Sequence, residues 1–386
     1  MLSTLAISGY RSLRNLIVPL KRLNLITGAN GSGKSNLYRA LRLLADTAKG
    51  NVVQSLAQEG GLPSVLWAGP EQIAASVKRG DFAVEGTVRY NRTSLKLGFG
   101  GDEFGYLIDL GLPKPTLSHF SLDPQIKREC IWYGERLRPS TLLVDRHGPV
   151  VRIRREAEWD AATNNLATYD SIVASLADPR NAPEILTLRE SIRAWRFYDH
   201  FRADADAPAR SPQIGTRTPV LDNDGRDLAA ALQTINENGD DAETLAAVVD
   251  DAFPRSKVWI ENTNGRFAVR MEQHGLLRPL DVAELSDGTL RYLLWVAALL
   301  TPRPPALMVL NEPETSLHPD LLPALARLIG RAAERSQVIA VSHAPRLIEA
   351  LSEQPECHAI RLEKEFGETI VAGDVAKGLM WQWPAR

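Results

Sequence analysis

Cysteine is scarce in this chain. There are two in 386 residues, Cys130 and Cys357, with no CxxC pair and no His/Cys cluster. That argues against a disulfide framework and a zinc site, and it fits a reducing cytosol. An excess of one charge is lacking too. Forty-five Lys and Arg stand against 47 Asp and Glu, a formal charge of −2. Nothing global therefore points to a polyanionic partner, while a local basic face stays open. Long apolar runs are missing. The longest lies near LLWVAALL, 293–300, well short of the roughly 20 residues that span a bilayer. The opening MLSTLAISGYRSLRNL has no signal-type apolar stretch. Repeats, low-complexity tracts and sustained heptads are absent as well. The expectation is a cytoplasmic chain with no membrane partner, long enough for two or three domains or one with a large insertion.

What is present alternates strand and helix patterns. LSTLAIS and RLNLITG read as strands, and SNLYRALRLLADTA places Leu37, Leu41 and Leu44 at helical spacing. Residues 80–110 read as antiparallel strands and turns. Strands are expected at TLLVDR and VVRIRR, and helices at YDSIVASLA and PEILTLRESIRAWRFYDHF. Residues 202–219 read as an irregular loop. Helices follow at DLAAALQTI and AETLAAVVDDAF, then a hairpin turning at Asn264-Gly265. After 284 the pattern alternates helix and apolar strand.

Between the second strand and the first long helix lies GANGSGKSN, which fits GxxxxGK[ST] at every position. Glycines let the chain curl so that backbone N–H groups point at phosphate oxygens. The helix start adds its positive end. Gly28, Asn30, Gly31, Ser32, Gly33, Lys34, Ser35 and Asn36 are thus candidates for holding a nucleoside triphosphate. Lys34 is expected to reach the β- and γ-phosphates and Ser35 to ligate Mg²⁺.

Three further stretches carry chemistry. LMVLNEPETSLHP, 307–319, reads as a buried parallel strand ending in acidic residues, with Glu312 the candidate general base. A strand end, turn and helix cap is the plain alternative. VIAVSHAP ends a second apolar strand at Ser342-His343. His343 there is a candidate for the γ-phosphate or the attacking water, against an ordinary surface or core histidine. Ser286-Asp287-Gly288-Thr289 precedes an apolar helix, and a helix cap explains it sufficiently. Alternatively, that helix start offers N–H groups and a hydroxyl to a phosphate.

In order, GANGSGKSN, LSDGTLR, LMVLNEPE and VSHAP resemble the Walker A, signature, Walker B and switch-histidine motifs of ABC-type ATPases. More closely, the chain resembles the RecF/SMC-like branch, in the AAA-21 type of AAA family ATPases. ISGYRSLRNL is similar to that branch's opening strand and turn, and AWRFYDHF and TPVLDNDGRDLAAAL look like its predicted-ATPase members. The resemblance implies an α/β P-loop NTPase, an ABC/RecF-like head with a compact α+β insertion lobe. Residues 1–90 and 271–386 would form the core, and 91–270 the lobe. It implies ATP and Mg²⁺ as cofactors, with Ser35, Asn311 and Glu312 toward the metal and Lys34, Glu312 and His343 as catalytic groups. It also implies an ATP-dependent homodimer, in which Ser286 and Gly288 of one chain touch the phosphate bound by the other. Arg11 resembles the arginine of the branch's opening turn, with a solvated surface arginine as the alternative. Gln54, Gln58 and Gln72 give no distinctive lid glutamine.

Two departures stand out. Asn311 occupies the usual aspartate position, so the charge next to Mg²⁺ is missing. LSDGT replaces LSGGQ, and Asp287 reads either as a cap or as a partner of a nearby arginine. Arginines at 152, 154, 155, 193, 196 and 202, interleaved with Trp195, Phe197 and Tyr198, suggest either a DNA backbone surface or charged helix faces over a core. DNA and an effector protein stay open as partners. DNA repair or phage defence is the expected setting, with a nucleotide-gated interaction module or a transporter ATPase subunit as rivals.

Overall fold

In the first strand the apolar residues do what their spacing demands. Leu5, Ile7 and Tyr10 are buried, and the strand pairs Leu5 with Val18 and Ile7 with Leu16 of its neighbour. The computed structural model describes residues 1–69, 94–114, 119–155, 158–239, 241–373 and 381–386. They divide into two compact units. The first contains 1–21, 28–195 and 360–386, and the second 22–27 and 196–359.

The first unit is built on an eight-stranded antiparallel sheet of order β2-β1-β4-β5-β6-β7-β8-β9. Its strands are β1 (Leu2–Tyr10), β2 (Leu13–Pro19), β4 (Leu95–Gly101), β5 (Phe104–Gly111), β6 (Gln125–Tyr133), β7 (Leu142–His147), β8 (Val150–Arg155) and β9 (Glu158–Thr163). The strands expected in 94–110 and at TLLVDR and VVRIRR are present; residues 80–93 lie outside the described residues. The helix α1 (Lys34–Lys49) buries Leu37, Leu41 and Leu44, the stripe its sequence predicts, and stops at Gly50 in the left-handed region, φ 76°. A buried ion pair joins Glu129 and Arg146, both fully enclosed, at 3.1 Å. Tyr106 and the Ile172 N–H also donate to that carboxylate, at 2.6 and 2.9 Å. The guanidinium donates to the carbonyls of Gly148 and Ala167, both at 2.7 Å. The cluster pins the segment 167–172 to the sheet. Also in this unit, Leu362–Glu365 of β17 (Cys357–Glu365) pair antiparallel with β18 (Glu368–Val371), across a turn at Phe366-Gly367.

The second unit carries four parallel strands in the order β10-β15-β16-β3: β10 (Arg196–Tyr198), β15 (Leu307–Asn311), β16 (Gln337–Val341) and β3 (Leu23–Gly28), whose last residue lies across the division. The inner strands β15 and β16, buried on both faces, carry the apolar runs LMVL and VIAV rather than alternating patterns. Helices Asp287–Leu299, Leu322–Ala333 and Pro345–Ser352 follow in this unit, with Leu228–Asn236 and Asp241–Ala252 preceding. A small antiparallel sheet completes it: β11 (Gln213–Ile214), β12 (Lys257–Thr263), β13 (Arg266–Glu272) and β14 (Leu280–Asp281). The β12–β13 hairpin turns at Asn264-Gly265, both left-handed, as expected.

Two helices expected from sequence are shorter. YDSIVASLA forms only the turn Ile172–Ser175. The pattern 183–201 is helical only over Pro183–Arg193; Arg196–Tyr198 is a strand, because its backbone pairs with Met308–Leu310. Trp195, Phe197 and Tyr198 are core residues, and no helix carries Arg152, Arg154 and Arg155, which lie on β8. Arg154 is tied to the carbonyls of Pro139 and Ser140, Arg155 to Asp160 and Arg202 to Asp204. Among the described residues, no helix is long and apolar enough to cross a membrane.

Candidate functional site

The first unit holds the glycine loop. Gly28, Gly31 and Gly33 have φ of 150°, 79° and 109°. At Gly33 an added Cβ would stand 2.1 Å from Thr369 Oγ1, and at Gly28 one would stand 2.3 Å from the Leu362 carbonyl. Ser32 N–H closes the turn onto the Ala29 carbonyl at 3.1 Å. Lys34 is buried, and its Nζ folds back to donate to Gly28 and Ala29 carbonyls at 2.6 and 3.2 Å. The first N–H groups of any helix lack an intrahelical partner, and the N-cap of α1, Gly33, offers them no side chain. Ser35 is exposed at that end, as are Asn30 and Gly31.

A clasp holds the loop from behind. Thr369 donates to the Ser32 carbonyl at 2.8 Å and lies 2.7 Å from Ser12 Oγ, which also accepts from Asn36 Nδ2 at 2.8 Å. Arg11 is left-handed, φ 48°, and its guanidinium is paired with Glu59 at 2.7 Å. Tyr10 donates to the same carboxylate, and burial with that charge pushes its hydroxyl well above the usual range.

The second unit holds the remaining candidates. Asn311 ends β15 opposite Val341 of β16. Glu312 follows with φ 50°, its N–H on the Val341 carbonyl at 2.8 Å. A left-handed glutamate is a strained residue, of the kind that clusters at functional sites. Ser342 N–H bonds the Ile26 carbonyl of β3 at 3.1 Å. His343 Nδ1 lies 3.5 Å from Oε1 of Glu312 and equally far from Oε1 of Glu314. Glu312 and His343 are open to solvent, whereas Glu314 is buried.

The family enters here. A family model described as "AAA domain, putative AbiEii toxin, Type IV TA system" matches residues 23–349. The chain belongs to this AAA family. That agrees with the RecF/SMC-like, AAA-21-type resemblance of the motifs, and the mixed α/β architecture is that of a P-loop NTPase. Solved structures that match include an SMC head bound to the C-winged helix domain of ScpA, at 13% identity over 96% of this chain and 97% of that one, TM-score 0.49. The SMC head of Thermotoga maritima matches at 15% over 96% and 98%, TM-score 0.43. A Pyrococcus furiosus Smc head with an extended coiled coil, bound to the C-terminal domain of ScpA, matches at 11% over 96% and 95%, TM-score 0.46. No curated protein matches the chain significantly.

In this AAA-family chain the signature stretch resolves one open question. Ser286 caps the helix Asp287–Leu299, accepting from Thr289 N–H at 3.2 Å. Asp287 instead pairs with Arg210, whose guanidinium also gathers the carbonyls of Ala203, Val282, Ala283 and Leu285. Gly288 is half-buried, and a Cβ added there would stand 3.6 Å from the Ser316 carbonyl oxygen. Burial lowers the Arg291 guanidinium from its ordinary value, and Arg291 bonds the carbonyls of Phe201 and Thr315 at 3.1 and 3.0 Å.

A triphosphate fits the loop, since the bare glycines and uncapped helix start supply N–H donors and Lys34 the charge. Among the described residues no three His, Cys, Asp or Glu side chains form a metal-binding group. Gly28–Asn36 and Arg11 lie in the first unit, and Ser286, Gly288, Asn311, Glu312 and His343 in the second. Sequence reading missed Glu59, Arg210, Glu314 and Thr369. Glu314 had a signal, a second acid two residues after Glu312; the other three are ordinary residues in unremarkable stretches.

Proposed function

We propose that the chain binds and hydrolyses ATP. The observation that carries this is the uncapped start of α1 behind a left-handed glycine loop, with Lys34 buried and folded onto it. The loop N–H groups and Lys34 would hold the phosphates and the Ser35 hydroxyl would ligate Mg²⁺; by the motif resemblance, Asn311 takes the position of the family's metal-side acid. Bound Mg²⁺ would offset phosphate charge. Glu312 would polarise water, and His343 would orient it or contact the γ-phosphate. Ser286 and Gly288 would serve a second copy of the chain in an ATP-sandwiched dimer whose parting follows hydrolysis. The family description names a toxin of a type IV toxin–antitoxin system, which favours a defence role over repair. The test is phosphate release, with oligomer mass measured with and without ATP and DNA. Glu312→Gln should bind nucleotide but lose about a hundredfold or more in turnover; equal turnover in wild type and Glu312→Gln would sink the reading.

Asn311 favours a second reading, a nucleotide-gated interaction module with little turnover. Here Asn311→Asp decides. If hydrolysis is limited by the missing charge, this variant should raise turnover and lower the Mg²⁺ needed for half-maximal rate by about tenfold. No change would leave hydrolysis limited elsewhere.

A further inference from the structure

Glu314 has an odd position for a carboxylate. It is 7% exposed, and charge that deep persists only where donors compensate it. Its Oε1 accepts three hydrogen bonds, from Ser342 Oγ at 2.7 Å, His343 N–H at 3.0 Å and Ala344 N–H at 3.2 Å. Its Oε2 is buried with no partner. The side chain belongs to the turn after β15, and all three donors belong to the turn after β16. Ser342 is wholly buried as well, so this bond is shielded from water.

The two turns are stapled twice. One staple is backbone, Glu312 N–H to the Val341 carbonyl; the other is the Glu314 carboxylate. Between them stand the exposed groups, Glu312 and His343, whose 3.5 Å separation depends on both turns keeping register. Buried Glu314 cannot meet a ligand that Glu312 and His343 can.

We propose that Glu314 is a positioning residue: it locks the turn carrying His343 to the turn carrying Glu312, and so sets the geometry of the hydrolytic pair. This rests on the reading of Glu312 and His343 as hydrolytic groups. A rigid pair matters because misplacement by about 1 Å can cost a hundredfold in rate. On the same reading, nucleotide affinity is assigned to the glycine loop and Lys34, which belong to neither of these two turns.

The test compares full-length wild type, Glu314→Ala, Glu314→Gln and Ser342→Ala, with Glu312→Gln as reference. Phosphate release gives kcat and KM; a fluorescent ATP analogue gives affinity; thermal melting reports folding. Glu314→Ala should lose about tenfold to a hundredfold in kcat, with KM and analogue affinity within about threefold. Glu314→Gln keeps an acceptor oxygen for the three donors and should recover much of that loss. Ser342→Ala, which keeps the carboxylate, should fall between. If Glu314→Ala does not fold, Glu314→Gln and Ser342→Ala carry the comparison through the same split of kcat against KM. Wild-type kcat in the folded Glu314 variants and in Ser342→Ala, with Glu312→Gln inactive, would overturn the inference and leave the hydrolytic reading standing. Parallel loss of kcat, affinity and melting temperature would also overturn it, marking a purely structural role. A wild type no faster than Glu312→Gln would sink both.

Discussion

Arg210 donates to Asp287 across 2.7 Å, joining a guanidinium that is 8% exposed to a carboxylate that is 62% exposed. The departure from a plain glycine signature is thus answered by an arginine that also binds the carbonyls of Val282, Ala283 and Leu285. Charge near the start of that helix is offset, and the turn before it is held by one side chain. Arg210→Met should cost about 2–4 kcal/mol, chiefly from carbonyls left without a donor. Asp287→Asn should cost under about 1 kcal/mol, since exposed pairs contribute little. Urea unfolding of the two variants checks this order; equal losses would contradict it.

The glycine loop makes a steric prediction. Gly33→Ala would push a Cβ to 2.1 Å from Thr369 Oγ1 at φ 109°. Strain of about 1–3 kcal/mol is expected, with fluorescent-ATP binding weakened by about tenfold or more. Adding Thr369→Ala removes the two shortest contacts, at 2.1 and 2.9 Å, but leaves the Thr369 Cβ at 3.0 Å and the dihedral strain. Binding by the double variant should therefore recover in part, and full recovery would assign the whole effect to the threonine.

Within the first unit, Glu129 and Arg146 should dominate stability. Both are enclosed, and each serves as the charge partner of the other. Arg146→Met should destabilise by about 3–5 kcal/mol, because the remaining carboxylate keeps its neutral donors but is buried without a countercharge. The double variant with Glu129→Gln should be milder than Arg146→Met alone. Denaturant midpoints of the three proteins measure this.

Thiol chemistry should be slow. Burial and the neighbouring Asp145 charge push the Cys130 thiol well up, and burial raises Cys357 less. In the native protein at pH 8, a disulfide reagent should titrate at most one group, removed in Cys357→Ser. Both thiols should react after unfolding. Rapid reaction of Cys130 in the folded protein would contradict its enclosure.

Much of the architecture was legible in local pattern. The stripe Leu37, Leu41 and Leu44 marked α1, the Asn264-Gly265 pair marked a hairpin, and the runs LMVL and VIAV marked buried parallel strands. The tract 183–201 misled because its apolar spacing continues past Arg193. There, pairing with β15 outweighs helical spacing, and Phe197 and Tyr198 suit a strand as well. Asp287 was ambiguous for a related reason: both a cap and an arginine partner satisfy a carboxylate, and Ser286 had already taken the cap.

The sequence by itself determined the chemistry that the glycine loop offers. Backbone freedom at Gly28, Gly31 and Gly33 and the charge of Lys34 are properties of those residues, readable wherever a strand precedes and a helix follows. Only the tertiary structure decided what holds the candidate groups still. Thr369 reaches Ser32 across 337 residues, Arg210 reaches Asp287 across 77 and Glu314 reaches Ser342 across 28. No local periodicity encodes such pairs, because the partners meet, and an orphaned buried group becomes costly, only once the chain has packed.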